Sequence, residues 1–550
     1  MKKSHLIPLL SLVTLTLTSC NFGLSIFSGL FDDSSSSSYD YSSDTLSAES
    51  YTHAEPTAAK SGQVVGGYTY NDVIKNNLYD LSSAPNSGDV RLLIVPVWFT
   101  DSSSYILSSR KDYVREDIRK AYFGTENETG WHSVRTYYEK ESMGRVRLDG
   151  TVTDWYACER RSTSFYSERD GADATMDLAT AAANWYFANH PSDPRTNYDS
   201  DADGYIDGIM LIYGAPDYSA MRKDNASNMW AYCYWVQDAT AQNTSRPGVN
   251  VYFWASYDFM YGHNAIYKAG SSYGSGDTDH CKVDAHTYIH EMGHVFGLDD
   301  YYDYGDNSYA PAGSFSMQDA NRGGHDPFSV FAFGWADPYV VGESTTITIG
   351  SFQKEHDVVL LTPSWNEYDS PFDEYLLVEL FTPSGLNQLD CTYAYNGSLR
   401  GPTQTGIRLW HVDARLAMCT NYNEYTQNLV YSKSLTSDPT DSRATYGVTT
   451  AFTNSYDSDD YGSVLGSSYD KYDLLHLIRN DTRIGYRTSE DIGNSDLFKA
   501  GDSFSMSTYR SQFPNSTNLN SGVALGWTFT VNSISGSGDD ATATITFTKA

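Results

Sequence analysis

Two histidines separated by three residues, His290 and His294, constrain this chain more than any other feature. On an α-helix that spacing stacks both imidazoles on one face, one turn apart, where both can reach a single metal ion. Glu291 stands beside them, suited to exchange a proton with water rather than to bind the metal. Composition alone produces such a pentapeptide in roughly one chain in a hundred of this make-up, so the flanking residues decide. Lys282-Val-Asp-Ala-His-Thr-Tyr-Ile289 is expected to begin the helix, with Asp284 as its cap. Gly297 can take a left-handed conformation and end it. Asp300 then returns as a carboxylate ligand, giving two imidazoles and one carboxylate around zinc with a fourth position open. Asp299 and Asp303 compete for that place. His286 shares the helical face but lies about 12 Å from His294 along the axis at ~1.5 Å per residue, so it belongs to the core or the surroundings of the site. Met317, in Ser314-Phe-Ser-Met317, either sits in a tight turn beneath the metal or fills the core.

The rest of the chain is organised around this segment. Residues 91–99 read as a buried strand, 113–122 and 133–140 as helices, 145–155 as a strand, 172–188 as a helix and 205–213 as a strand. Beyond about Trp335 short alternating strands replace helices, for example 375–380, 406–412 and 541–548. The expected fold class is α+β: a catalytic domain over 89–340 followed by a β-sandwich-like region over 341–550.

The first residues read as a leader. Lys2 and Lys3 precede an apolar stretch from Leu6 to Leu17, too short for an ordinary membrane span. It ends in Leu17-Thr18-Ser19-Cys20, the pattern of a lipoprotein signal in which Cys20 carries the lipid; an ordinary signal peptide with an incidental Cys is the other reading. Residues 1–20 would then be the signal peptide. Residues 21–88, with consecutive serines from Ser34 to Ser38, would be a tether or short pro-like segment. These features place the body outside the cell, held at the surface only by the lipid. The formal net charge of -32 repels phosphate backbones, so nucleic acid is not an expected partner. Removing Cys20 from the 6 cysteines leaves an odd number at irregular spacing, which is no disulfide framework. A Cys391–Cys419 bridge stays open, and a monomer is expected.

Asp199, Asp201, Asp203 and Asp207 stand at positions 1, 3, 5 and 9 of a calcium-binding loop, with Gly204 at position 6 and the Tyr205 carbonyl at 7. Position 12 is Met210, so the usual bidentate Glu is missing. A structural calcium site and a plain acidic turn are the two readings. The acidic run Asp457–Asp460 has no such pattern.

Taken together, these segments resemble the immune inhibitor A family, the M6 bacterial secreted metallopeptidases. The similarity is carried by Leu92–Asp101, by Ser133-Val-Arg-Thr-Tyr-Tyr-Glu-Lys-Glu-Ser-Met-Gly144 with Val152-Thr-Asp-Trp155, and by the run from His290 to Asp303. It continues in Gly323–Trp335, Glu374-Tyr-Leu-Leu-Val-Glu379, Gly406-Ile-Arg-Leu-Trp-His-Val-Asp413 and Asn494–Phe498. The family usually has Pro where Asp299 stands. The resemblance implies a metzincin-like catalytic domain, a C-terminal β-sandwich, one catalytic zinc on His290, His294 and Asp300, Glu291 as general base, and structural calcium. The implied activity is hydrolysis of peptide bonds in extracellular proteins. The alternative is a catalytically silent surface lipoprotein that uses its Tyr-rich β-region as an adhesin or binding module.

Overall fold

The computed structural model describes residues 45–47, 67–77, 83–221, 226–236, 242–262, 283–304, 309–393, 395, 400–423, 428–455 and 463–550. Its first layer is a seven-stranded sheet of β1 (Thr45–Ser47), β2 (Gly88–Trp98), β3 (Val146–Thr153), β4 (Tyr156–Ala157), β5 (Ile209–Tyr213), β6 (Tyr232–Trp235) and β7 (Val251–Ser256). The order is β1-β3-β2-β5-β7-β6, with β4 on the end of β2. Strands β3, β2, β5 and β7 are parallel, and β1 and β6 close the edges antiparallel.

The inner strands are apolar throughout because both faces are covered. Side chains alternate between the two faces, and the two cores follow that alternation. Leu92, Ile94, Met210, Ile212 and Phe253 point into the core shared with helices Lys111–Phe123, Val134–Glu141 and His286–Val295. Leu93, Val95, Leu211, Tyr213 and Trp254 point to the other side, under helix Glu168–Asn189. The strand expected over 205–213 begins only at Ile209, because Tyr205 still belongs to the acidic loop and bridges Gly248.

The later strands are β8 (Tyr339–Val340), β9 (Thr345–Gly350), β10 (Val358–Leu361), β11 (Glu374–Phe381), β12 (Gly406–Asp413), β13 (Leu416–Asn423), β14 (Asn428–Thr436), β15 (Val448–Thr450), β16 (Leu475–Ile478), β17 (Ser503–Phe504), β18 (Trp527–Ser535) and β19 (Thr542–Lys549). They form sheets of order β16-β12-β11-β10-β8, β17-β18-β19-β9 and β14-β13-β15. The five-stranded sheet is a middle layer. Val359, Leu376, Val378 and Leu409 on one face pack with Trp527, Phe529, Ile545 and Phe547 of the four-stranded sheet. Leu360, Tyr375, Leu377 and Trp410 on the other face join the core of the metal-site helix. The apolar interior therefore runs without a break across residue 340. Cys391 and Cys419 are both free thiols, so the bridge between them is not formed. Among the described residues no helix is long and apolar enough to cross a membrane.

Candidate metal centre

The helix carrying the two histidines spans His286–Val295. It starts later than the sequence suggests. Val283, Asp284 and Ala285 are not helical, and Ala285 is the cap residue. Asp284 instead accepts the N–H of His286 at 2.9 Å and meets its Nδ1 at 2.6 Å, which commits its carboxylate one position before the cap. The helix is fixed to the first layer by hydroxyls. Tyr138 donates to the Ile289 carbonyl at 2.7 Å, and Tyr288 donates to the Ser256 carbonyl at 2.8 Å. Gly297 ends the helix at φ +111, where a Cβ would stand 2.4 Å from Ile74 Cδ1. At Gly293 the backbone is ordinary, but a Cβ would lie 2.4 Å from Gln318 Oε1 and would displace that side chain.

The turn at Gly297 returns Asp300 to the histidines. His290 Nε2 lies 2.9 Å and His294 Nε2 3.3 Å from Asp300 Oδ1, and the two Nε2 atoms are 3.2 Å apart. Each ring is oriented from behind. His290 Nδ1 meets the Met317 carbonyl at 2.8 Å, and His294 Nδ1 meets the Leu298 carbonyl at 2.7 Å. A carbonyl only accepts, so each Nδ1 carries the proton and each Nε2 presents a lone pair. Two lone pairs and a carboxylate oxygen thus converge, and Asp300 Oδ1 is buried without a hydrogen-bond partner. Three acceptors this close need a cation between them. Ligands ~2.0–2.1 Å from a tetrahedral zinc lie about 3.3 Å from one another, close to the separations seen here. Without the metal a proton serves instead: burial would lower His294, but Asp300 outweighs it and raises the imidazole to about 10. Against its own burial, Asp300 is held well below the usual carboxylate range by His294 and His290.

Glu291 is buried, and its Oε2 has no hydrogen-bond partner. Burial pushes its carboxyl up to about 7, against the pull of His294 and His290. A carboxyl titrating there can both take and release a proton near neutrality. Of the competitors for third ligand, Asp299 is exposed and Asp303 is buried, and neither joins the donor group formed by His290, His294 and Asp300. Met317 is fully buried and opens the short helix Met317–Ala320. Its side chain fills the core while its carbonyl holds His290, so both sequence readings of this residue describe part of its place.

Several supports escaped sequence reasoning. Tyr304 donates to Asp300 Oδ2, and Ser455, far along the chain, donates to the Asp300 carbonyl at 2.9 Å. Tyr301 is turned away, paired with Ser329 at 2.8 Å, while the Tyr302 ring stacks 6.3 Å from His290. Tyrosines at 302 and 304, alternating beside Asp300, were the only signal for this role. The pair Tyr137-Tyr138 gave a better one: Tyr138 secures the metal-site helix, and Tyr137 donates to the Gly323 carbonyl at 3.1 Å.

A second cluster unites Asp199, Asp201 and Asp207, with ligand atoms within 4.8 Å of one another. Asp203 is not in it; its Oδ1 accepts the N–H of Tyr205 at 2.8 Å. Asp199 Oδ1 is buried without a partner. Burial, with Asp201 and Asp199 close by, pushes Asp207 well above the usual carboxylate range. Gly204, at φ +92, passes so near Asn243 that a Cβ would meet its nitrogen at 2.8 Å. Met210 lies buried in β5. Cys20 and Asp457–Asp460 fall outside the described residues.

Residues 99–319 match the family model of the immune inhibitor A peptidase M6 catalytic domain. Over these residues the chain is similar to the M6 peptidases. The M6 match ends two residues beyond Met317 and contains His290, Glu291, His294 and Asp300. It supports a metallopeptidase function, does not favour the silent-adhesin reading, and implies a metal, for which the three converging donors are suited. No curated protein matches the chain.

Proposed function

We propose that this M6-like chain is a zinc-dependent endopeptidase acting on extracellular proteins. The observation that carries the reading is the convergence of His290 Nε2, His294 Nε2 and Asp300 Oδ1 with both Nδ1 atoms tied to main-chain carbonyls. When bound, zinc would supply Lewis acidity toward a peptide carbonyl and a water molecule. Glu291 takes the proton from the attacking water and returns it to the departing amine. Tyr304 and Ser455 keep Asp300 turned toward the histidines. Burial of the donors keeps their charges effective, since the surrounding dielectric is low.

The remaining expectations support a consistent setting. The Asp199, Asp201 and Asp207 cluster is read as a structural calcium site, its orphaned Asp199 oxygen being the support. The helix-flanked sheet is read as metzincin-like, and the face-to-face packing of the two C-terminal sheets as a sandwich. A lipid anchor at Cys20, a monomeric state and a surface location stay with the sequence pattern that suggested them. The test is casein hydrolysis by the full chain with and without a zinc chelator, beside Glu291→Ala. Activity should vanish with the chelator and return with zinc. Chelator-resistant hydrolysis, or full activity in the variant, would overturn the mechanism.

A further inference from the structure

His286, the first residue of the metal-site helix, is fully buried and held on four sides. Asp284 Oδ1 lies 2.6 Å from its Nδ1, and Asp390 Oδ2 lies 3.4 Å from its Nε2. The Trp131 ring stacks on it at 4.1 Å and 12°, and the Tyr395 ring at 4.2 Å and 24°. Two parallel rings at that distance cannot share one face, so the imidazole is sandwiched. Asp390 and Tyr395 belong to the second region of the chain, beyond the residues that the family model covers. Asp390 Oδ2 also accepts the N–H of Gly323 at 2.7 Å, and neighbouring Asn387 accepts that of Gly324 at 3.0 Å. One carboxylate therefore ties the start of the metal-site helix to the segment that follows Met317.

The charge balance identifies the state of the ring. Two buried carboxylates facing a neutral imidazole would have no positive charge on the ring between them, an expensive arrangement. An imidazolium donates its Nδ1–H to Asp284 and sets positive charge at Nε2 3.4 Å from Asp390, an ion pair without a hydrogen bond. Burial alone would lower its affinity for the proton, but Asp284 and Asp390 raise it to about 10. The nearby His132 is pushed down to about 3 by burial, Lys140 and His286, so the proton resides on His286.

We propose that His286 is a positioning residue for the metal centre, an imidazolium that pins the first turn of the metal-site helix to Asp390 and Tyr395 so that the second region sets the aim of His290 and His294. The inference rests on the zinc reading of that centre. His290 stands about one turn further along the same face, about 6 Å away along the axis, so a tilt at His286 is passed directly to a ligand. The helix has only 10 residues, which leaves little length over which to absorb it.

Zinc titrations of the apo full chain between pH 6 and 9 test this, comparing the unmutated protein with Asp390→Asn and Asp390→Glu. Asn keeps an acceptor for Gly323 but not the charge. The expected result is zinc binding about tenfold weaker in Asp390→Asn, by a factor that grows with pH as His286 loses its proton earlier, and recovery in Asp390→Glu. An equal affinity, or a loss whose factor is constant with pH, overturns the inference while leaving the zinc site intact. Absence of zinc binding in the unmutated protein overturns the zinc reading, and the inference with it. Should Asp390→Asn not fold, nuclear magnetic resonance of ring-labelled histidine in the unmutated protein decides: His286 must carry both ring protons at pH 8, and a neutral ring overturns the proposal.

Discussion

The metal centre and the acidic loop both bring three potential ligands together, but they hold them differently. In the loop, Asp199, Asp201 and Asp207 come from one short stretch, and their oxygens also accept local N–H groups from Gly204, Asp203 and Ser200. The turn geometry itself gathers the carboxylates. At the centre, two ligands come from a helix and the third from beyond a glycine turn. Their supports come partly from the same turn, the Leu298 carbonyl and the Tyr304 hydroxyl, and partly from distant residues, the Met317 carbonyl and the Ser455 hydroxyl. A loop that gathers its own ligands suits a structural ion. A centre that supplies only three donors, held by outer hydrogen bonds, suits a catalytic ion.

This contrast is tested most strongly by Glu291→Ala. It should lower kcat/KM by about a thousandfold, within the usual range for a lost general base, while zinc content stays at one ion per chain; loss of the ion would instead make Glu291 part of the coordination. Asp300→Ala should weaken zinc binding by more than about a hundredfold, since it removes a ligand rather than an outer support. A chelator competition that finds unchanged affinity would hand the third position to another carboxylate. In the loop, Asp207→Asn should cancel the rise in melting temperature caused by calcium. That rise is worth about 2.7 kcal/mol when calcium is a hundredfold above its dissociation constant, and kcat/KM should hardly change. A melting curve of the unmutated chain that ignores calcium would end the structural-ion reading.

Gly297→Ala tests the turn that only the centre requires. The strained φ and the contact with Ile74 should cost about 1–3 kcal/mol by chemical denaturation, and an unchanged midpoint would show that the turn relaxes freely. The smallest effect concerns pH. Because the folded state raises His286 from 6.5 to about 10, its stabilisation is fully present below pH 6.5 and is lost as pH rises toward 10. The fall in stability over that window should be shallower in His286→Asn; an identical slope would remove His286 from the account.

Local chemistry made much of this legible. The i, i+4 histidines, the helix-ending Gly297 and a carboxylate returning after it are separated by a few residues, so the pattern is local, although Asp299, Asp300 and Asp303 all fit it. The same holds for the acidic loop, although Asp203 turns its carboxylate to a backbone N–H instead of joining the cluster. The start of the metal-site helix was harder to read, because the competing partner of Asp284 is the side chain of His286 as well as its backbone. The strand ending at Tyr213 is shorter than its apolar pattern suggests for a similar reason: Tyr205 and Ile206 serve the loop rather than the sheet, Tyr205 by bridging Gly248.

By itself, then, the sequence determined the ligand types, their helical spacing, the turn that returns a carboxylate and the alternation that gives the central sheet two covered faces. These are short-range consequences of backbone geometry and side-chain chemistry. Only the tertiary structure decided which carboxylate meets the histidines, that Met317 contributes a carbonyl as well as a side chain, and that Asp390 and Tyr395 close around His286. Those contacts join residues far apart in the chain, and they exist because the middle sheet shares one apolar core with the metal-site helix. No local pattern encodes a packing partner; burial of both surfaces together selects it.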